Sequence, residues 1–298
     1  MKYSIRKNIT GVCLIGVLFC IFLSGCIQEE KKQIEIQLSA RSAVIAEAKN
    51  GRILYSKNPK SKYPPASTAK IMTAIVAVEN MKLDTEIIAS SSISRVEPTV
   101  VPLSPGVGYK LKDLLAAILI KSANDAAVAI AEGVSGSEQN FAILMNEKAR
   151  QIGMENTYFV TASGLPTGKK DEQYTTSEDL IKMIREASKY IFLLGLMGQT
   201  EGSLQGSDGK EIYLKTHNKS LYSETGASWG KTGYTKEARR TFAGTDPSPS
   251  PKIIFSLLKS NNLWKDIEKL KINGLELYKE KHKNMILKII DWIRKKIS

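Results

Sequence analysis

Residues Ala69 to Glu79 read Ala-Lys-Ile-Met-Thr-Ala-Ile-Val-Ala-Val-Glu, apolar nearly all round a helix. Such a helix has almost no face to give to water, so the fold must wrap other elements around it. Its first turn carries a lysine, Lys70, with Ser67 three residues earlier. Pro64 and Pro65 favour an extended approach to this helix. On a helix, i and i+3 share a face, so the Lys70 amine can reach the Ser67 hydroxyl. A serine at a helix start meets the positive end of the backbone dipole. Burial lowers a lysine's pKa toward the value a neutral-amine base requires. Taken alone, the block also fits an N-capping serine and a solvated lysine.

The S-x-x-K pattern occurs at Ser4/Lys7, Ser67/Lys70, Ser207/Lys210, Ser228/Lys231 and Ser256/Lys259, so context must separate the copies. Ser4/Lys7 lies in an N-terminal targeting segment. Ser207/Lys210 lies in the glycine-rich run 202–209, which reads as loop. Ser256/Lys259 ends an apolar strand-like run, where i and i+3 fall on opposite faces. Ser67/Lys70 opens a helix. Two more blocks follow it: Ser122-Ala123-Asn124, just after an apolar helix from Leu111 to Lys121, and Lys231-Thr232-Gly233, which occurs once. S-x-N occurs elsewhere, at Ser56/Asn58 and Ser260/Asn262, so order and spacing carry the signal.

Hydrophobic periodicity gives the order of elements. A hairpin spans Ala43 to Ser56, turning at Lys49-Asn50-Gly51. Helices follow at the Ser67 block, at Leu111–Lys121, at Asp125–Gly133 and at Glu138–Ile152. Thr176 caps another, running to about Ala187. Gly202, Gly206 and Gly209 mark loops before a strand at Ile212–Leu214. Three successive strands cover Trp229–Thr235, Arg240–Gly244 and Ile253–Leu258, and a helix runs from Leu263 to about Lys281. This order predicts an α+β fold: an antiparallel sheet flanked by helices, with an all-helical lobe inserted in the middle. Ser67 would come from the lobe edge, Asn124 from a lobe loop and Lys231 from a sheet strand, so the site would lie where lobe and sheet meet.

The N-terminus reads as an export signal over 1–25, with Lys2, Arg6 and Lys7 ahead of an apolar stretch too short for a comfortable membrane span. It ends Leu23-Ser24-Gly25-Cys26, which resembles a lipobox and implies cleavage before Cys26 and a lipid on its sulfur. An uncleaved anchor and an ordinary cleaved signal also fit. Residues 26–38 read as a charged tether, residues 39–281 as the folded domain and 282–298 as a separate basic helix. All three cysteines fall within the first 26 residues, so no disulfide or cysteine metal site forms beyond them.

Of the net charge of +13, Lys2, Arg6 and Lys7 contribute three, leaving +10 on the mature part. With no nucleic-acid motif and an exported chain, that charge fits anionic lipid headgroups or wall polymer, or general solubility. At the C-terminus Met285, Ile286, Ile289, Ile290, Ile293 and Ile297 form one stripe. Lys288, Asp291, Arg294, Lys295 and Lys296 cover much of the rest. The helix can lie in a membrane interface, outside the cytoplasmic membrane for an exported lipoprotein, or pack on the domain.

The three blocks in order resemble the signature of the penicillin-recognising serine enzymes. The flanks narrow the likeness: Pro64-Pro65-Ala66-Ser67-Thr68-Ala69-Lys70-Ile71-Met72, Ser122-Ala123-Asn124-Asp125-Ala126-Ala127, Gly153-Met154-Glu155-Asn156-Thr157, Ser163-Gly164-Leu165-Pro166 and Trp229-Gly230-Lys231-Thr232-Gly233-Tyr234-Thr235. From about Ser42 to Tyr278 the chain resembles the D-alanyl-D-alanine carboxypeptidases, low-molecular-mass penicillin-binding proteins of the S11 type, with a beta-lactamase-like fold.

The resemblance implies removal of the terminal D-alanine from a peptidoglycan stem pentapeptide, and acylation by beta-lactams. Ser67 would attack, Lys70 would take its proton, and Ser122 would relay a proton to the leaving amine. Asn124 would hold the substrate amide, and Lys231 and Thr232 its terminal carboxylate. Gly233 would let the substrate approach the strand. The N–H groups of Ser67 and Tyr234 would form an oxyanion hole, a device worth about 3–4 kcal/mol per donor in comparable sites. Asn218 matches a family position near the cleft. No metal or cofactor is expected. Two departures stand out: Ala238 is followed by Arg239 where the family commonly has glycine, and the arginine often found before the final helix has only Lys265 as a counterpart. Seventeen residues follow Lys281, too few for the second, all-β domain of many relatives.

Three other readings share some of these features. A serine beta-lactamase uses the same acylation but needs a base for fast deacylation, for which Glu155, Asp171, Glu172 and Glu178 are available. A non-catalytic wall-binding or antibiotic-sensing module would not need Ser67, Lys70, Ser122 and Lys231 intact. A Ser/His/Asp hydrolase would have only His217 and His282 to draw on, neither in triad-like context.

Overall fold

A computed structural model describes residues 35–96, 98–168 and 172–297. The signal segment 1–25, Cys26, most of the 26–38 tether and Asp171 lie outside the described residues. The unit from Ile36 onward is built on a five-stranded antiparallel sheet. Its strands are β1 (Ser42–Glu47), β2 (Ile53–Lys57), β7 (Trp229–Thr235), β8 (Arg239–Thr245) and β9 (Ile253–Ser260), in the order β2-β1-β9-β8-β7. All six residues of β1 are buried, because the sheet is covered on both faces. Successive side chains alternate between two cores. Val44, Ala46, Ile254 and Leu258 join the large core under the helical lobe. Ala43, Ile45, Phe255 and Leu257 join a smaller core with Leu263, Ile267 and Leu270 of the terminal helix.

The lobe is inserted between β2 and β7, as the order of elements predicts. Its central helix, α1 (Ala69–Asn80), buries every residue from Ala69 to Ala77. Around it lie α2 (Leu111–Ala116), α3 (Asn124–Ser135), α4 (Glu138–Gln151), α5 (Ser177–Ala187) and α6 (Ile191–Gly198). Buried alanines at 126, 127, 129 and 131 let α3 pack closely against its neighbours. Thr176 caps α5 through its hydroxyl, which accepts the Asp179 N–H, and Ser137 caps α4 in the same way. Two small hairpins, β3 (Glu86–Ile88) with β4 (Gly108–Lys110) and β5 (Glu201–Gln205) with β6 (Glu211–Lys215), complete the lobe.

Local differences from the sequence reading have physical causes. The helix after Leu111 loosens to a π-turn over Ala117–Lys121, and Ser122 ends it in the left-handed region at φ 67°. Pro65 is helical, at φ −69° and ψ −28°, rather than extended; the reversal falls on Ala66, at φ 48°. Part of the glycine-rich run read as loop is strand β5, paired residue for residue with β6. The helix expected to end near Lys281 and the separate basic helix 282–298 are one unbroken element, α7 (Leu263–Ile297).

Helix α7 presses on the sheet where Gly274 leaves no room for a Cβ, which would fall 2.8 Å from Ile253 and 2.9 Å from Ile45. Past His282 every residue as far as Arg294 is exposed, on all sides of the helix, so this end of α7 runs beyond the sheet. Met285, Ile289 and Trp292 stay 47%, 51% and 63% exposed instead of packing on the domain. Among the described residues no helix is long and apolar enough to cross a membrane.

Candidate active site

Ser67 sits in a single 3-10 turn, Ala66–Thr68, that leads into α1. The Pro65 carbonyl accepts the hydroxyls of Thr68 (2.6 Å) and, from β8, Thr241 (3.2 Å), tying the turn to the sheet. Ala66 is left-handed without being glycine, a strained backbone next to the serine.

Lys70 is fully buried. Its Nζ donates to Ser67 Oγ (3.1 Å), to Asn124 Oδ1 (2.6 Å) and to the Ser163 carbonyl (2.9 Å). Burial above all, and then the nearby charge of Lys231, push the amine well below the ordinary lysine range; Asp125 and Glu138 oppose this. The result is an amine beside a hydroxyl with a weakened hold on its own proton.

The second pair bridges the lobe, which supplies Ser122, and the sheet, which supplies Lys231. Lys231, on β7, is also buried, and its Nζ donates to Ser122 Oγ (2.8 Å) and to the Thr232 carbonyl (2.8 Å). Burial lowers its pKa to about 7. Asn124 is the first residue of α3, not a loop residue. The next residue, Asp125, anchors the chain above it: its carboxylate accepts N–H groups of Val101 (3.1 Å), Leu103 (3.5 Å) and Ala126 (2.9 Å).

Gly233 works at closer range than its sequence role implies. A Cβ there would lie 2.8 Å from the Ser67 nitrogen and 2.4 Å from Thr241 Oγ1, so its absence lets β7 close on the Ser67 turn itself. β7 is an edge strand, and Thr232 and Tyr234 lie along it. Tyr234 is exposed, with the Arg240 guanidinium 5.6 Å from its ring.

Asn218, expected among the substrate-binding residues, is turned inward instead. Its Nδ2 donates to the carbonyls of Ser228 (2.9 Å) and Gly230 (3.5 Å), and its Oδ1 accepts from the Ser220 N–H and hydroxyl. Buried and bonded on both sides, it clamps the start of β7 and so helps to place Lys231.

The sequence reading assigned no role to the Ser163 carbonyl. Its segment is pinned by Thr73, whose hydroxyl donates to the Ala162 carbonyl (2.6 Å), and by Asn146, whose amide exchanges hydrogen bonds with the Phe159 N–H and carbonyl (2.8 and 2.7 Å). Gly164 completes the fit at φ 77°: a Cβ would stand 1.9 Å from the Ala66 carbonyl oxygen. His282 is remote from this chemistry in kind, stacking on Tyr278 with ring centroids 4.1 Å apart.

A hydroxyl with a buried amine, beside a second serine–lysine pair that bridges lobe and sheet, defines a penicillin-recognising serine acyl-transferase. Comparison with known proteins narrows this. The family model described as D-alanyl-D-alanine carboxypeptidase (peptidase S11) matches residues 28–261. The chain is 32% identical over 240 residues to D-alanyl-D-alanine carboxypeptidase DacF of Bacillus subtilis, covering 78% of this chain and 61% of that one. It is 28% identical over 219 residues to D-alanyl-D-alanine carboxypeptidase DacB2 of Mycobacterium tuberculosis, covering 74% of each. The crystal structure of a D-alanyl-D-alanine carboxypeptidase from Mycobacterium tuberculosis superposes with a TM-score of 0.75 at 26% identity, over 80% of this chain and 92% of that one. The chain belongs to the S11 family of D-alanyl-D-alanine carboxypeptidases.

Proposed function

We propose that the protein removes the terminal D-alanine from peptidoglycan stem pentapeptides through an ester on Ser67, and that beta-lactams acylate the same oxygen. Lys70, as the neutral amine, takes the Ser67 proton while Oγ attacks the carbonyl of the penultimate D-alanine. The oxyanion is received by the N–H groups of Ser67 and Tyr234. The C–N bond then breaks, and the leaving amine collects, through Ser122, the proton that Lys70 took from Ser67, which leaves Lys70 neutral again. Water attacks the ester, giving a proton to Lys70; the C–Oγ bond breaks, Ser67 Oγ takes that proton back from Lys70, and the shortened peptide leaves. Asn124, its Oδ1 held by Lys70, orients the substrate amide. Lys231 and Thr232 receive the terminal carboxylate.

The observation that carries this reading is the fully buried Lys70 amine 3.1 Å from the Ser67 hydroxyl. The test is incubation with a pentapeptide ending in D-Ala-D-Ala. Wild type should release free D-alanine and Ser67→Ala should not. A C-terminally amidated peptide, lacking the carboxylate that Lys231 would bind, should be cut poorly. Release of D-alanine by Ser67→Ala at the wild-type rate would overturn the reading.

The site's setting is part of the same proposal. Export, a lipid on Cys26 and placement on the outer face of the cytoplasmic membrane would bring the groove to its polymeric substrate. The lipobox-like Leu23-Ser24-Gly25-Cys26 supports the anchor. The exposed apolar stripe of α7, flanked by Lys288 and Arg294, supports a second contact with an anionic membrane surface.

A further inference from the structure

Glu138 belongs to none of the motifs from which the chemistry was assembled. It is the first residue of α4, and its Oε1 accepts the Ala162 N–H at 2.9 Å. The Ala162 carbonyl accepts the Thr73 hydroxyl at 2.6 Å, so residue 162 is gripped from α4 on one side and from α1 on the other. The next carbonyl, that of Ser163, accepts the Lys70 amine at 2.9 Å. One backbone segment therefore links the Glu138 carboxylate to the amine beside Ser67.

Charge links them too. Lys70 faces Asp125 from α3, Glu138 from α4 and Lys231 from β7. Glu138 faces Glu132 of α3 as well as Lys70; burial above all raises its own pKa, while the Ala162 N–H and Lys70 draw it down.

We propose that Glu138 is a positioning residue for Lys70: it holds the Ala162–Ser163 segment so that the Ser163 carbonyl meets the amine, and it presents a negative charge toward that amine. The inference rests on the reading of Lys70 as the base. A nearby carboxylate favours the protonated amine, so it partly offsets burial and the Lys231 charge. Without it the amine gives up its proton at lower pH.

Two substitutions separate the parts. Glu138→Gln keeps an oxygen for the Ala162 N–H and loses the charge. Glu138→Ala loses both. The measurement is the rate of Ser67 acylation by a fluorescent penicillin as a function of pH, for full-length protein. Glu138→Gln should keep its plateau rate within about threefold of wild type, with its acid limb displaced to lower pH. Glu138→Ala should show the same displacement and a plateau lower by roughly tenfold or more, because the amine is no longer held in place. A merely structural glutamate would not move the limb. A Glu138→Gln limb that superposes on wild type, or a Glu138→Ala plateau equal to wild type, overturns the inference. Wild-type protein that is not acylated at all overturns the Ser67–Lys70 reading itself, so the two failures are distinguishable.

Discussion

The Lys231 amine donates to the Ser122 hydroxyl across 2.8 Å, joining the edge strand of the sheet to the helical lobe over 109 residues of sequence. Both partners are buried, so the bond fixes the width of the groove and places a cation inside it. Burying that cation has a cost the protein must carry in order to hold a carboxylate there.

That cost is open to measurement through pH. The Lys231 pKa falls from 10.5 to about 7 on folding, because burial disfavours the charged form. Between those values the unfolded chain binds more protons than the folded one, so this group makes stability rise with pH. Below about pH 7 both states are protonated at this position and the full cost stands. Lys231→Met should therefore raise the unfolding temperature, and by more at pH 6 than at pH 9.5. Thermal unfolding at the two pH values checks this; a gain no larger at pH 6 would contradict it.

Gly164 is where the Ser163 carbonyl meets the Ser67 turn. Gly164→Ala puts a Cβ onto the Ala66 carbonyl oxygen at a left-handed φ of 77°. The expected cost is about 2–4 kcal/mol, with loss of penicillin acylation as the two segments part. Gly153 has the same φ of 77° with nothing within 4 Å. Gly153→Ala should cost only about 1 kcal/mol and leave acylation intact. Denaturant unfolding and acylation rates for the pair separate crowding from backbone strain.

Arg239 closes the turn from β7 to β8 at φ 55°, a conformation that favours glycine. Arg239→Gly should stabilise the protein by about 0.5–1 kcal/mol, since relief of left-handed strain exceeds the extra chain entropy. Equilibrium unfolding checks the sign.

The stripe on the outer end of α7 predicts membrane contact without catalysis. Ile286→Asp with Ile289→Asp should weaken sedimentation with vesicles of anionic phospholipid, most clearly at low salt, and leave cleavage of a soluble pentapeptide unchanged. Equal sedimentation of wild type and variant would contradict it.

Much of this was legible because residue type and spacing carry it. Ser67, Lys70, Ser122, Asn124 and Lys231 announce themselves as types in order, and α1 as a helix too apolar to face water. Helix α6 was not legible: Ile-Phe-Leu-Leu-Gly-Leu-Met-Gly has no amphipathic period and two glycines. Strand β5 hides because only Leu204 of its five residues is buried. The Ser163 carbonyl carries no side-chain signal at all, and Glu138 looks like any acidic residue in a first helical turn. Asn218 was expected near the cleft, and only the fold reveals that its amide is used on the start of β7.

The most direct measurement is to identify the acylated atom. Protein incubated with benzylpenicillin, digested and analysed by mass spectrometry should carry one adduct, on Ser67. The adduct should be absent from Ser67→Ala, and its formation much slower in Lys70→Met. An adduct that persists in Ser67→Ala, or forms at the wild-type rate in Lys70→Met, would contradict a buried Lys70 amine as the base that activates Ser67.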